Sequence, residues 1–277
     1  MSGMEGLSVV QEVLELALYT GLVENVKPLS VLLCSKSENG KTSALEKFRG
    51  NEGVVWLEDA TKFGIYKSMF LSKEYLRCRH LIISDLNIPL QRSKDTANTF
   101  MSMLMPMTYE GVQRIETFNM SLKLPVPAVI GVLAGITPAV FHPRKQQWAD
   151  IGILRRFMPL SYDYNEEVVN QVFHNIQHRT GHENGHIPLH NLLGNPEMKM
   201  DIKLDPKLAK ELEPMARNMV IGLNIGTPYK GFSYQEQLQA LAMGRAYKNK
   251  RRNVLSEDIH WIKTVAAKYI NYNQAEI

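Results

Sequence analysis

Apolar residues in the first part of the chain form short continuous runs that alternate with helical patterns. The runs are typical of strands buried on both faces, and they occupy residues 29–34, 54–57, 81–84, 129–136 and 157–162. Apolar residues recur at helical spacing over residues 9–22, 42–48, 60–76, 95–105 and 139–150. This alternation predicts an α/β fold in three layers, in which helices cover both sides of a parallel sheet.

Two other patterns follow the third run. Apolar residues tend to alternate over residues 112–124, with Phe118 and Asn119 near the middle, which predicts a β-hairpin. After residue 164 we find helical patterns alone, around residues 166–177, 205–223, 233–250 and 256–272, and Ser256 is the expected N-cap of the last of them. Residues 178–204 are rich in His, Gly, Asn and Pro, which is typical of a connector. We therefore expect a core over residues 1–177, then a connector and an all-helical lid over residues 178–277.

Composition narrows the class of protein. No run approaches the roughly 18 uncharged apolar residues that a membrane span requires, so no membrane partner is expected. The two cysteines, Cys34 and Cys78, cannot form a disulfide framework, which favours a cytoplasmic location. The formal net charge of +4 permits a nucleic-acid partner without demonstrating one.

A phosphate-binding motif lies between the first predicted strand and the next helix. Backbone amides of such a loop wrap phosphate groups, a lysine reaches the β- and γ-phosphates of ATP, and a hydroxyl binds Mg²⁺. Ser35 stands where a glycine is usual, and it fits if its φ is negative. The alternative is an ordinary strand–turn–helix with an exposed lysine. The predicted binding residues are Ser35, Lys36, Ser37, Glu38, Asn39, Gly40, Lys41, Thr42 and Ser43.

The motif needs an acidic partner at the end of a neighbouring strand. Asp85 follows the third run and fits this role, but Leu86 occupies the place of the usual following glutamate. Either Asp85 joins Thr42 at the metal and the base lies elsewhere, or Ser84 takes the metal position and Asp85 is the base. Glu58 and Asp59, after the second run, are the other candidate acids, and slow or absent hydrolysis is a further alternative.

These motifs resemble the AAA+ superfamily of P-loop ATPases, and most closely the ATPase core of MCM-type helicases. The resemblance also includes residues 18–21 before the loop, and Tyr109-Glu110-Gly111 with residues 112–117, which are similar to the segment leading to the family's pre-sensor hairpin. Residues 134–138 are similar to the end of the sensor-1 strand, with Thr137 as the polar residue. Residues 152–157 resemble the stretch that carries the arginine finger, which makes Arg156 the candidate for donation to a neighbouring subunit. A solvated arginine pair is the alternative there.

The lid resembles the family less closely. The family's sensor-2 arginine falls on Glu236, which has the opposite charge, and Arg245 is a candidate substitute. The N-terminal DNA-binding domain of those helicases has no counterpart in this sequence, so a recognition or recruiting protein is an expected partner.

The resemblance implies an ATP- and Mg²⁺-dependent ATPase that works on DNA or RNA as a ring or filament, with a hexamer as one candidate. By analogy, Arg114 and Lys123 of the hairpin would contact the nucleic acid. Two alternatives are an assembly scaffold or switch with little hydrolysis, and a protein-remodelling ATPase.

Overall fold

The computed structural model describes residues 5–59, 61–71, 77–117, 120–178, 185–193, 198–223 and 230–271. Its centre is a parallel sheet of five strands in the order β2-β3-β6-β1-β7, and a separate antiparallel hairpin joins β4 to β5. The strands are β1 Ser30–Cys34, β2 Val54–Leu57, β3 His80–Ile83, β4 Val112–Thr117, β5 Met120–Ala128, β6 Gly131–Ile136 and β7 Phe157–Ser161. The predicted α/β class and parallel sheet are therefore confirmed.

Helices precede, separate and follow the strands. The described helices are α1 Glu5–Tyr19, α2 Lys41–Glu46, α3 Lys62–Leu71, α4 Asn87–Leu90, α5 Lys94–Thr108, α6 Pro138–Phe141, α7 Lys145–Asp150, α8 Glu166–Gln177, α9 Pro206–Lys210, α10 Glu213–Leu223, α11 Phe232–Lys248 and α12 Ser256–Lys268.

Three local predictions need correction. The helix predicted over residues 139–150 is divided by a 3₁₀ turn at His142–Arg144, because Pro143 has no N–H for the helical ladder. The last helix begins at Ser256, but its N-cap is Leu255, whose N–H donates to Oδ2 of Asp258 at 2.9 Å. The helix predicted over residues 205–223 is two helices, α9 and α10. Residue 60 and residues 72–76 of another predicted helix, and the hairpin centre at Phe118 and Asn119, lie outside the described residues.

The sheet forms the core, and its topology determines where a ligand can bind. Every residue of β1, β6 and β7 is buried, as continuous apolar strands between helices require. After β1 the chain runs outwards to β2, returns through β3 and β6, and then crosses to the other side of β1 at β7. The strand order thus reverses beside β1, and crevices at such a switch point are the usual ligand sites of open parallel sheets.

We call the edge formed by the carboxyl ends of these five strands the carboxyl edge, and the opposite one the amino edge. The segments that leave the carboxyl edge are residues 35–40, 58–59, 84–86, 137 and 162–165. Four of the predicted site positions, Lys41, Glu58, Asp85 and Thr137, are therefore on or next to segments that leave this edge.

The C-terminal helices pack against the first helix of the chain. Helix α11 runs along α1, where the rings of Tyr19 and Tyr247 lie 5.4 Å apart. Gly244 allows this close approach, because a Cβ there would stand 2.5 Å from the carbonyl oxygen of Leu16. The boundary predicted at residue 178 separates two kinds of sequence pattern. The hydrophobic core crosses this boundary, because it continues from the sheet through α1 to α11 and α12.

A charged network reinforces this packing. The fully buried carboxylate of Asp258 accepts two hydrogen bonds from Arg251, at 2.7 and 2.8 Å. Arg245 pairs with Glu12 at 2.8 Å and has its Nε 3.3 Å from Asp258. Arg245, the candidate substitute for the family's sensor-2 arginine, thus links α11 to α12 and α1.

Asn51 holds part of the predicted connector against the core. Its side-chain amide donates to the carbonyl of Ile187 at 2.9 Å, and its Oδ1 accepts from the amide of Leu189 at 2.8 Å. The amide of Ile187 also donates to the carbonyl of Lys47 at 2.8 Å. This part of the connector is therefore fixed next to the end of α2.

Candidate functional site

The loop between β1 and α2 has the backbone conformation that its sequence predicts. Ser35 keeps a negative φ, as the missing glycine required, whereas Glu38 and Gly40 take φ values of 67° and 69°. A Cβ at Gly40 would stand 2.5 Å from the hydroxyl oxygen of Tyr164. Glycine is needed at this position both for the left-handed backbone and for the close approach of Tyr164.

Consecutive backbone amides of this loop are free to bind an anion. Within the described part of the chain, the N–H groups from Lys36 to Ser43 donate no hydrogen bond, whereas Ser35 N donates to Ile136 O at 3.3 Å and Ala44 N to Gly40 O at 2.9 Å. Successive N–H groups in right- and left-handed turns form a concave anion-binding nest. The loop therefore offers the donor array that a chain of phosphates requires.

Lys41 lies folded against its own loop. Its Nζ donates to the carbonyl oxygens of Ser35 and Lys36 at 2.6 and 2.5 Å. Burial lowers the pKa of Lys41, while Cys34 and the carboxylate of Asp85 act in the opposite direction. Burial also raises the pKa of the Cys34 thiol to about 12, so this neighbour is a neutral thiol at pH 7. Asp85 is thus the charged partner among the groups that act on Lys41.

Asp85 and Thr137 are linked through a residue that sequence reasoning missed. Oδ1 of Asp85 accepts from the backbone amide of Asn87 at 2.9 Å. Oδ1 of Asn87 in turn accepts from the hydroxyl of Thr137 at 3.4 Å. The available signal was position, because Asn87 follows the third strand by a few residues and must lie near the carboxyl edge. The structure therefore brings Asp85, Asn87 and Thr137 together at the ends of β3 and β6.

The candidate acids after β2 lie farther than Asp85 from the loop between β1 and α2. Two strands, β3 and β6, separate β2 from β1, which at the usual strand spacing places their axes about 14 Å apart. Glu58 is exposed and has its Oε1 3.6 Å from Arg49, and Asp59 forms an ion pair with Arg92. The geometry favours Asp85 over Glu58 as the acid nearest the loop.

A third set of loop contacts comes from the end of β7, and sequence reasoning missed it. Asp163 accepts from Lys36 at 2.7 Å and from the side-chain amide of Asn39 at 2.8 Å, and the Tyr162 hydroxyl donates to the carbonyl of Asn39. Burial acts to raise the pKa of Asp163, but hydrogen bonds from Lys36 and Asn39 outweigh it and hold the pKa below its usual value. Burial raises the pKa of Tyr162, which keeps its hydroxyl a donor. These side chains fix the shape of the loop.

The predicted metal ligands fit a magnesium ion that is shared with phosphate. Mg²⁺ in proteins usually takes one or two oxygen ligands from side chains and the remainder from phosphates and water. Thr42 is exposed at the start of α2, and its hydroxyl has no hydrogen-bond partner among the described residues. Among the residues described, no group of three or more His, Cys, Asp or Glu could hold a metal ion.

Arg156 lies at the opposite end of the sheet. It directly precedes β7, so it belongs to the amino edge, about 13 Å or more from the carboxyl edge at 3.3 Å per residue. Its side chain is only 8% exposed and forms an ion pair with Glu110 at 2.7 Å. Arg156 therefore cannot serve the loop of its own chain, and donation to another chain would require the Glu110 pair to open. The neighbouring Arg155 is exposed.

The two basic residues of the hairpin are neighbours across the strands. Arg114 of β4 stands directly opposite Lys123 of β5, and both are exposed. Like charges in this position destabilise a hairpin, and here Glu116 offsets one of them at 2.7 Å from Arg114. The structure thus places the predicted nucleic-acid residues side by side, while their role stays a prediction.

No protein-family model matches the chain, and no curated protein matches it either. Among the described helices, none combines the length and the apolar character needed to cross a membrane. Inferences about function consequently depend on the geometry of the carboxyl edge and on the sequence motifs.

Proposed function

We propose that the chain binds ATP with Mg²⁺ in the loop of residues 35–43 and hydrolyses it as a P-loop ATPase of the AAA+ type. The observation that carries this proposal is the array of free amides from Lys36 to Ser43, with Lys41 beside it and Asp85 within electrostatic reach. An array of this kind at the switch point of a parallel sheet favours a nucleotide polyphosphate over other ligands.

Each side chain has a role that follows from its position. The amides hold the phosphates, and Lys41 leaves the carbonyls of Ser35 and Lys36 to contact the β- and γ-phosphates. Thr42 and Asp85 hold the Mg²⁺, which when bound offsets charge on the phosphate oxygens. Thr137 lies at the end of β6, where its hydroxyl can orient a water molecule beside the γ-phosphate.

Work on nucleic acid as an oligomer is the second part of the proposal. It is supported by the exposed Arg114–Lys123 pair and by the place of Arg156 at the amino edge, away from the nucleotide loop of its own chain. A ring or filament of head-to-tail contacts would bring the amino edge of one subunit to the carboxyl edge of the next. The recognition protein expected from the sequence is a further proposed partner.

A nucleotide-dependent scaffold with little hydrolysis is the second candidate. The observation that favours it is the surroundings of Asp85: the next residue, Leu86, is buried, and Glu58 pairs with Arg49 at the far strand, β2. A site without a second carboxylate near the γ-phosphate can bind ATP while activating water poorly.

A nucleotide titration with magnesium tests the first step. We expect Lys41→Ala to weaken ATP binding by about tenfold to a hundredfold, because charge-assisted hydrogen bonds contribute about 1.5–3 kcal/mol each. Lys47→Ala is the matched control, since this lysine follows α2 and is absent from the loop. Equal affinity of ATP for the wild type and Lys41→Ala would refute the proposed site.

Turnover measurements then separate the two candidates. Nucleic-acid-stimulated ATP hydrolysis that is lost in Lys41→Ala supports the ATPase, together with a mass increase when ATP and Mg²⁺ are added. ATP binding with assembly and with turnover at background supports the scaffold.

A further inference from the structure

A second pocket lies at the amino edge of the sheet. It has a volume of about 300 Å³ and opens between the segment before β1, the end of α5, the segment before β7 and the start of α11. The lining residues that matter here are Lys27, Tyr109, Arg155, Arg156, Glu236 and Gln237. We call it the amino-edge pocket. It is separated from the loop of residues 35–43 by the length of β1.

Positive charge dominates the lining of the amino-edge pocket. Three cationic side chains face one carboxylate of the lining, Glu236, and Glu110 pairs with Arg156 from outside the lining, so that one positive charge remains in excess. Two of the cations share one aromatic ring, since Nζ of Lys27 lies 3.1 Å and Cζ of Arg156 lies 5.7 Å from the ring centroid of Tyr109. Cations near one ring repel each other, and an anion in the pocket would offset part of their charge.

Two buried polar groups in the lining have unused hydrogen-bonding capacity. The side chain of Arg156 donates through Nη1 to Gly152 and through Nη2 to Glu110, but its buried Nε has no partner among the described residues. Gln237 is 8% exposed, and its Nε2 donates to the carbonyl of Arg155 at 2.9 Å, which fixes the orientation of the amide. Its buried Oε1 also lacks a partner within the described chain.

These observations define the chemistry of an occupant. Orphaned buried donors and acceptors are rare in folded proteins and usually mark an unseen partner. Arg156 Nε requires an acceptor, Gln237 Oε1 requires a donor, and the surplus of cations requires negative charge. A small molecule with an oxyanion and a neighbouring hydroxyl group meets all three requirements. The volume is at the lower end for ligand sites, which excludes large ligands.

We infer that the amino-edge pocket binds a small hydroxylated oxyanion, a phosphate ester or a hydroxy acid, independently of the nucleotide loop. The oxyanion contacts Arg155 and Lys27. Nε of Arg156 and Oε1 of Gln237 have almost no accessible surface, so they reach the oxyanion and its hydroxyl after the two side chains turn towards the pocket. Because Gln237 belongs to α11 and the cations belong to the core, the bound molecule fastens the C-terminal helices to the amino edge of the sheet.

Nitrogen-15 NMR of the arginine side chains tests this inference directly. The probes are glycerol 1-phosphate, malate, inorganic phosphate and glycerol, with the Nε–H signal of Arg156 assigned from an Arg156→Lys sample. We expect a hydroxylated oxyanion to move this signal in a saturable way, and uncharged glycerol to leave it in place. A response to glycerol 1-phosphate alone or to malate alone identifies phosphate or carboxylate as the preferred group.

Variants make the site assignment specific. Arg155→Gln should weaken binding by about tenfold, since one charge-assisted contact is lost. Gln237→Met should reduce the preference for glycerol 1-phosphate over inorganic phosphate, because it removes the acceptor for the hydroxyl. Lys207→Gln changes an exposed cation on α9 and should bind as the wild type does.

Two results would overturn the inference. One is an Arg156 Nε–H signal that none of the probes moves. The other is binding that survives in Arg155→Gln but disappears in Lys41→Ala, which would place the anion in the loop after β1. Retention of binding in Lys41→Ala, with loss of ATP binding, would support the amino-edge pocket and the nucleotide site as separate sites.

Discussion

The buried imidazole of His80 should make the protein sensitive to mild acid. His80 begins β3 and is 1% exposed. Burial, together with the positive charges of Arg79 and Lys199, lowers its pKa from 6.5 to about 3, although hydrogen bonds to the backbone of Leu29 and Ala17 oppose the change in part. The folded protein therefore holds a neutral imidazole at a pH where the unfolded chain holds a charged one.

The sign and size of the effect follow from proton linkage. Below pH 6.5 the unfolded chain binds a proton at His80 that the folded protein does not bind until about pH 3. The neutral imidazole of His80 makes its full contribution to the free energy of unfolding above pH 6.5. That contribution decreases by about 1.4 kcal/mol per pH unit as the pH falls towards 3. Over the whole interval this amounts to about 5 kcal/mol, a large part of the stability of an ordinary domain.

Urea unfolding of the wild type and of His80→Asn measures this contribution. The substitution loses packing at every pH, but its disadvantage should shrink by about 3 kcal/mol between about pH 7.5 and about pH 4.5, because asparagine has no proton to gain. Titrations of other groups are common to both proteins and cancel in the difference. His260→Asn, at an exposed histidine of α12, is the matched control. Parallel stability curves for the wild type and His80→Asn across this range would refute the reasoning.

Three further predictions concern the network, the loop and the hairpin. Asp258→Ala should lower the free energy of unfolding by about 3–5 kcal/mol, because it removes two charge-assisted hydrogen bonds from the partly buried Arg251. Glu257→Ala, at an exposed neighbour, should cost less than about 1 kcal/mol. Gly40→Ala should weaken ATP binding, because the new Cβ displaces Tyr164. Gly50 has a similar positive φ, but a Cβ there would meet open space, so Gly50→Ala should lower stability alone, by about 1 kcal/mol. Lys123→Gln should reduce the slope of log affinity against log salt for single-stranded DNA by about 0.7.

Each of these expectations has a contrary result. Equal unfolding midpoints in urea for Asp258→Ala and Glu257→Ala would mean that the carboxylate of Asp258 is dispensable. Equal loss of ATP affinity in Gly40→Ala and Gly50→Ala, measured by titration, would remove the local explanation. An unchanged salt slope for Lys123→Gln would place the nucleic acid away from the hairpin.

Sequence patterns were sufficient for the element types because each strand of the sheet carries its own signal. A run such as β1 must be apolar on both faces when helices cover it, and that requirement is local. Strand order is a different matter: β6 pairs with both β1 and β3, and nothing local in residues 131–136 specifies these neighbours. The break at Pro143, by contrast, was visible in the sequence and should have been predicted.

In the candidate site, too, local features were predictable from the sequence and long-range contacts were not. The loop from Ser35 to Ser43 is one continuous segment, so its place between a strand and a helix was predictable from the sequence alone. Asp163 reaches Lys36 only because β7 pairs with β1, across more than a hundred residues of chain. The amino-edge pocket is harder still to predict, since four distant segments supply its lining and its unpaired atoms depend on side-chain orientation.

The packing of α11 along α1 has a mechanical consequence for any nucleotide-driven motion. Helices α1 and α11 are packed together, so a displacement of α11 would also displace α1. The start of that helix reaches the other pole of the molecule, where Leu7 comes within 3.8 Å of the position that a Cβ on Gly40 would occupy. The first helix thus connects the packing surface of α11 with the loop of residues 35–43.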